Sequence, residues 1–265
     1  MKSDDLNVQI STVADMIIDS EKVVVFTGAG VSTESGIPDF RSPGGIWTKF
    51  DPDDFTLQKF LHSSETRKKM WQLLIGGGLI ADAQPNQSHL AVAELEKLGK
   101  LECVITQNID NLHQKAGNSA EKVIELHGNM RRVICLSCNK SYPPEEVMQR
   151  LDEEVPDCEN CHGILKPDVI FFGEALPQKA LTDAANHSAN CDLLIVIGSS
   201  LVVYPAAYMP IYAKNSGAKL VIINISPTSC DGDADVLINS GAGEATGLIL
   251  RNVRERLGIR GNAVT

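Results

Sequence analysis

Six short apolar runs, rich in Val, Ile and Leu, recur along this chain and are separated by stretches of helical character. They predict strands at Lys22–Thr27, Glu102–Gln107, Val123–Leu126, Asp192–Gly198, Lys219–Asn224 and Asp235–Ile238. Most are apolar almost throughout rather than alternating, the pattern of strands covered on both faces in a parallel sheet. Helices are predicted at Asp5–Ser20, Thr56–His62, Glu65–Leu74, Gln87–Leu98, Pro177–Ala189, Pro205–Asn215 and Gly243–Leu257. Pro177 and Pro205 suit first-turn positions, and Gly99 and Gly217 suit C-terminal stops. The alternation of the two patterns predicts an α/β fold with a doubly wound, parallel, Rossmann-like sheet and right-handed crossovers.

Two segments break the rhythm. Ile37–Asn86 shows no core strand and reads as loop plus helices, while Met130–Lys166 holds few apolar residues and two CxxC pairs. Together they predict a smaller lobe, a helical insert joined to a metal module, facing the sheet across a cleft. Nineteen residues separate Cys135/Cys138 from Cys158/Cys161, the spacing of a four-thiolate zinc site. Four protein ligands leave no coordination position for water, so the Zn2+ is read as structural, standing in for a core the module lacks. Two disulfides are the alternative, and they conflict with the intracellular look of the rest of the chain. Cys103 and Cys191 lie beside apolar runs and read as buried thiols.

Composition adds limits. With 265 residues, 43% hydrophobic and 22% charged, the chain has ample material for a globular core. A formal charge of −10 speaks against a nucleic-acid partner and favours basic ones. No apolar run can span a bilayer, and none directly follows the polar Met1–Asp5, so neither a membrane nor a secretory leader is expected. A reducing cytoplasm is the expected compartment. The sequence leaves the oligomeric state open.

Polar residues gather where the predicted strands end, the side on which open α/β sheets bind ligands. Gly28-Ala29-Gly30 follows the first strand and should open a helix whose N–H groups meet a phosphate. It departs from GxGxxG, because Thr33 stands at the third glycine position. A long loop through Asp39, Phe40 and Arg41 follows, able to close over a nucleotide. Gln107-Asn108-Ile109-Asp110, His127-Gly128-Asn129, Gly198-Ser199-Ser200 and Asn224-Ile225-Ser226 end four further strands. Singly, each reads equally well as a cap or turn: Asp110 suits a helix starting near Asn111, and Ser199 or Ser200 another. Jointly they point to one cleft. A lone histidine after a strand is most often structural, yet His127 is the one histidine set among these clusters, with a pKa suited to proton transfer. His62 and His187 fall on predicted helices, His89 and His113 at helix starts, and His162 inside the metal module.

These segments resemble the sirtuin family of NAD-dependent protein-lysine deacylases. The matching pieces are Gly28–Trp47, Thr106–His113, Glu125–Asn129, the two CxxC pairs, Lys166–Pro177, Ile197–Ala207 and Ile223–Ser226, in family order and across nearly the whole chain. The resemblance implies NAD as co-substrate beside the Zn2+, and acyl-lysine proteins or peptides as partners. It implies that Gly28, Ala29, Gly30, Ser32, Glu34, Asp39, Phe40, Arg41, Gln107, Gly198, Ser199, Ser200, Asn224, Ile225, Ser226 and Ala242 bind the dinucleotide. Ile37, Asn108, Ile109 and Asp110 would surround the nicotinamide, with Phe40 shielding the ribose. His127 and Asn108 would be catalytic: the acyl oxygen attacks the ribose as nicotinamide leaves, and His127 takes a proton through the ribose hydroxyls. The products are free lysine and O-acyl-ADP-ribose. Val169, Ile170, Phe172, Gly173 and Glu174 would pair with the peptide as an added strand, with Val202 on the companion side near Val202–Tyr204. By residues alone, Val169–Phe172 reads equally as a core strand. The division implied is 1–36, 87–129 and 167–265 for the NAD-binding domain, 37–86 for the cofactor loop and insert, and 130–166 for the zinc module.

The family's acid-acyl specialists carry a Tyr-x-x-Arg pair that Arg67–Leu74 lacks, so neutral acyl groups, acetyl first, are expected. Met70 and Trp71 there read as an apolar wall or as packing residues. Two other readings remain: a protein mono-ADP-ribosyltransferase using the same NAD site, and a non-enzymatic zinc-ribbon interaction module.

Overall fold

The computed structural model describes residues 3–74, 80, 82–150 and 155–259. Strands β1 (Val23–Thr27), β2 (Leu101–Thr106) and β3 (Val123–Glu125) belong to a six-stranded parallel sheet. β4 (Gly128–Cys135), β5 (Ser141–Tyr142) and β6 (Leu165–Val169) form a separate antiparallel sheet, and β7 (Leu193–Ile197), β8 (Lys219–Ile223) and β9 (Val236–Ile238) complete the large one. The helices are α1 (Ser3–Asp19), α2 (Leu57–His62), α3 (Ser64–Leu74), α4 (Gln87–Lys97), α5 (Leu112–Ala116), α6 (Pro144–Met148), α7 (Gln178–Ala189), α8 (Met209–Asn215) and α9 (Ala242–Arg256). Among the described residues, none is long and apolar enough to cross a membrane.

The large sheet runs β3-β2-β1-β7-β8-β9. The chain builds outward from β1 in one direction, then returns to build outward from β7 in the other. β1 and β7 therefore flank the topological switch point, where a crevice opens beyond their C-terminal ends. Each strand feeds two cores, as the apolar runs predict. Val23 and Val25 of β1 join the cluster that α1, α4 and α9 bury, while Val24 and Phe26 join the one under α7 and α8. All six predicted strands are present: five are one or two residues shorter than predicted, and β2 keeps its length but begins one residue earlier.

Some local expectations change. Gly28–Gly30 opens a 3-10 turn, Ala29–Ser35, rather than an α-helix. Gly36 ends it at φ 85°, and Ile37-Pro38 cannot continue it, since a residue before proline is driven from the helical region. Pro177 and Pro205 stand just before their elements rather than inside the first turn, and the second begins as a 3-10 turn, Ala206–Tyr208, before α8. Gly99 and Gly217 do stop their helices, at φ 70° and 90°.

The small lobe departs most from expectation. Its sheet, order β5-β4-β6, has no clear period in sequence because β4 slips register between Gly128 and Val133. The expected boundaries after 129 and after 166 each fall inside one of its strands, β4 and β6. Nor is the metal module coreless: Val133, Tyr142, Val147 and Leu165 pack with Phe60, Met70 and Trp71 from the insert. The two insertions thus share one interior, and Met70 and Trp71 are packing residues, fully buried and away from the cleft.

Close backbone packing locks the switch point. Gly30 N–H donates to the Gly198 carbonyl at 2.8 Å, and a Cβ on Gly28 or Gly30 would meet Gly198 atoms at 2.9 or 2.8 Å. Gly198 itself sits at φ 62°, and a Cβ there would run into the Val31 amide nitrogen. Gly198→Ala is therefore expected to cost about 2–4 kcal/mol, combining left-handed strain with overpacking. Urea unfolding measures it; an unchanged midpoint would contradict the packing argument.

Candidate active site

A cavity of about 720 Å3 opens beyond the tips of β1, β2, β7 and β8, between the sheet and the small lobe. It brings together every residue the sequence nominated for cofactor, substrate or catalysis, from Gly28 and Ser32 through His127 to Ala242. The backbone ladder carries on past the strands: Gly28 N–H donates to Ile197 O, Gln107 N–H to Thr27 O, Gly198 N–H to Ile223 O and Asn224 N–H to Ile238 O. The tips are level and stiff for that reason.

His127 lies at this rim, just past β3. Its Nδ1–H donates to the Gln107 carbonyl at 2.9 Å, which fixes the tautomer and leaves Nε2 as a free acceptor. Burial lowers its pKa below the ordinary 6.5, with the Gln107 bond opposing, so the ring is neutral at pH 7. A neutral imidazole with a free Nε2 is a competent base.

The wall made by the first turn and the segment after β2 is tied together in advance. Asn108 Nδ2 donates to Gly28 O at 3.2 Å and to Ser32 Oγ at 3.1 Å, so its Oδ1 is the side-chain atom left for a ligand. Ser32 Oγ donates to Asp110 Oδ2 at 2.7 Å, while Asp110 Oδ1 accepts Leu112 N–H at 2.9 Å. Asp110 thus accepts the first amide of α5, although the N-cap position itself falls on Asn111, and it is also a buried wall of the cavity. Gln107 Nε2 donates to Ser199 Oγ, which also accepts Leu201 N–H, so Ser199 caps a turn rather than a helix. Ser200 lies beside it on the same wall.

Several nominated residues line the cavity with their polar atoms already committed. Asp39 accepts the Arg41 and Ser42 amides and the Ser42 hydroxyl. Burial pushes its carboxyl up, but the Ser42 and Arg41 bonds outweigh this and hold it below the usual range. Glu34 accepts Gly243 N–H at 2.8 Å, joining the first turn to α9 beside Ala242. Asn224 Nδ2 donates to Ser226 O, holding the loop that presents Ile225, 73% exposed. Phe40 packs tilted against Trp47, with ring centres 5.0 Å apart, and Trp47 packs on Phe55 and Phe172 and so pins the loop. At the peptide side the strand is Leu165–Val169, in the small sheet; Phe172 makes only a bridge to Thr56. Val202–Tyr204 is turn-rich, with Val202 exposed.

Sequence reasoning passed over the layer behind Asn108. His113 Nε2 meets Thr27 Oγ1 at 3.0 Å, Thr27 donates to Thr106 Oγ1, and Thr106 accepts Asn108 N–H. His89 packs edge-on against His113 and reaches Ser32 Oγ at a long 3.5 Å. Both were placed at helix starts, correctly, but a position on a helix does not say which face is buried. Burial pushes His113 to about 3 and His89 to about 4, the latter partly offset by Asp110.

The four zinc-pattern cysteines converge: their sulfurs all lie within 4.8 Å of one another. A tetrahedral Zn2+ with bonds near 2.3 Å needs sulfurs about 3.8 Å apart, and the Cys135–Cys161 and Cys138–Cys158 pairs stand at 3.4 and 3.7 Å. These are not disulfide distances, and all seven cysteines are free. Ser137 N–H and the Tyr142 hydroxyl point at the Cys135 and Cys158 sulfurs, as suits thiolate acceptors. His162 is outside the cluster. The residues fit the ion. Cys103 and Cys191 are buried thiols, raised by burial to about 12 and about 11.

Fold and site together define a dinucleotide-dependent α/β enzyme with a zinc-knotted second lobe. The Sir2 family model matches residues 28–205. An NAD-dependent protein deacetylase of Thermodesulfovibrio yellowstonii is 49% identical over 89% of this chain and 92% of its own. An NAD-dependent protein deacylase 2 of Archaeoglobus fulgidus is 42% identical over 93% and 96%. A Sir2 variant solved with a deacetylated peptide and 3′-O-acetyl ADP-ribose superposes at TM-score 0.86, 42% identical, covering 95% of this chain and 99% of that one. The chain belongs to the Sir2 family, and it is an NAD-dependent protein deacylase.

Unfolding returns the His89 and His113 pKa values toward 6.5, so below that pH the unfolded chain binds protons the folded chain refuses. Stability is expected to be full above pH 6.5 and to fall toward pH 4, by up to about 1.4 kcal/mol per pH unit for each ring. Urea unfolding of wild type and His113→Gln at several pH values measures this; equal slopes would count against it. For the zinc knot, Cys135→Ser is expected to lose the ion and lower the melting temperature. Elemental analysis checks it, and a variant that keeps stoichiometric zinc would contradict the assignment.

Proposed function

We propose that this enzyme removes neutral acyl groups, acetyl first, from lysine side chains of protein substrates. The observation that carries the assignment of roles is the His127 ring: neutral, with Nδ1–H spent on a backbone carbonyl and Nε2 free at the wall of the cavity. Bound NAD supplies an activated glycosidic carbon to the acyl oxygen. The chain's own part is positional and protolytic. Gly28–Gly30, Ser199 and Asn224 hold the phosphate and adenosine side, Asn108 and Asp110 the nicotinamide side, and His127 Nε2 takes the proton of a ribose hydroxyl. Phe40, anchored on Trp47, keeps water off the reacting carbon.

The peptide enters between the segment 169–174 and Val202, both at the cavity rim. Relatives solved with an acetylated and with a propionylated peptide, both 40% identical to this chain, support that class of substrate. Neutral acyl groups suit the apolar residues Ile46, Phe55, Leu74 and Ile80 in the cavity lining. Reduced, buried thiols accord with a cytoplasmic setting.

Mass spectrometry of an acetyl-lysine peptide with the enzyme, with and without NAD, is the test. Free lysine, nicotinamide and O-acetyl-ADP-ribose are expected only with NAD, and a succinylated copy should react more slowly. ADP-ribose attached to the acceptor would instead favour the transferase reading. His127→Ala is expected to lower kcat by about 10^2–10^4 with NAD affinity retained. In the wild type, kcat/KM should fall at acid pH, with its midpoint below the ordinary histidine value of 6.5, because burial makes the ring harder to protonate. A near-normal rate for His127→Ala would remove its role.

A further inference from the structure

Lys166, second residue of β6, is 1% exposed, the only lysine so deeply buried among the described residues. Its ammonium donates to Glu174 Oε2 at 3.0 Å and to the Val169 carbonyl at 2.5 Å, and lies 5.1 Å from the centre of the Phe171 ring. Glu174 Oε2 also accepts Phe171 N–H at 3.0 Å, and Glu174 N–H donates to Phe171 O. The ion pair therefore closes the chain from 166 to 174 into a ring, turned by Gly173 at φ 81°.

Burying an ion pair is a poor way to gain stability: apolar residues of similar volume commonly do as well or better. A small lobe with Phe60, Met70, Trp71 and Leu165 already in its core has no shortage of apolar packing. What the pair does supply is direction. The ring holds the segment 169–174 in one shape, and that segment reaches out to both neighbours of the cleft. Ile170 N–H donates to the carbonyl of His127 at 2.9 Å, while Phe172 exchanges bonds with Phe55 O and Leu57 N–H. Phe172 is thereby presented at 43% exposure on the cavity rim. Glu174, nominated for the substrate, spends this carboxylate oxygen inward.

We propose that Lys166 is a positioning residue for the acyl-peptide: through Glu174 it sets the shape of the 169–174 rim, without touching substrate itself. The proposal rests on the reading that this rim receives the peptide backbone. Main-chain pairing demands a correctly spaced edge, so a rim that relaxes should lose peptide affinity before it loses chemistry.

Lys166→Met tests it, with zinc content and NAD affinity measured alongside peptide kinetics. The peptide KM is expected to rise about tenfold, with kcat at saturating peptide within about threefold of wild type. NAD affinity and zinc should be unchanged. Because Lys166→Met strands a carboxylate, Lys166→Met/Glu174→Gln, which removes both charges, is the second variant. It should fold with zinc bound and still show the raised KM. A folded single or double variant with wild-type peptide KM overturns the proposal, since the pair would then be mere packing. If wild type itself shows no saturable dependence on acyl-peptide, the underlying reading fails first and takes this proposal with it.

Discussion

The whole arrangement depends on how closely two backbones approach at the switch point of the sheet. Gly28 and Gly30 after β1 lie directly against Gly198 after β7, with no room for a side chain between them. That contact brings the ends of strands 170 residues apart in sequence to one level, and the polar residues beyond them inherit the alignment. Ser32 and Asn108 meet over Gly28 because the first turn is pinned there, and Ser199 meets Gln107 for the same reason. A binding cavity is preorganised when its polar groups are already bonded to the scaffold. Here Asn108, Gln107 and His127 each have one atom spent on the frame and another left over.

The large sheet was legible in the sequence because its strands are buried on both faces, and that burial writes itself as continuous apolar runs. The site was legible for a related reason: residues such as Asn108, Asp110 and His127 stand immediately after such runs, where loop and strand tip coincide. The small sheet left no such signature. β4 alternates poorly, slips register, and shares its core with helices that lie far away in sequence. For Met70 and Trp71 the sequence leaves wall and packing readings level, since it reports which residues are apolar but not which side they face. The same blindness hid His89 and His113, whose burial follows from the packing of α4 and α5 rather than from any local pattern.

The zinc knot and the shared apolar core divide the work of the second lobe. Four thiolates fix the far end of the antiparallel sheet, while Phe60, Trp71 and Val133 join it to the helical insert. Between them β6 runs from the knot to the cleft, so the metal, the Lys166–Glu174 pair and the rim lie along one strand and its extension. A structural ion can in this way bear on substrate binding without taking any part in the chemistry.

On this reading the aligned strand tips hold one dinucleotide with its nicotinamide ribose at His127. A crystal structure with an acetyl-lysine peptide and a non-hydrolysable NAD analogue examines it most directly. The expected result is a ribose hydroxyl within hydrogen-bond reach of His127 Nε2, the carboxamide beside Asn108 and Asp110, and the acyl group approaching from the 169–174 side. A ribose bound elsewhere, or an imidazole with Nε2 turned onto the protein, would contradict it.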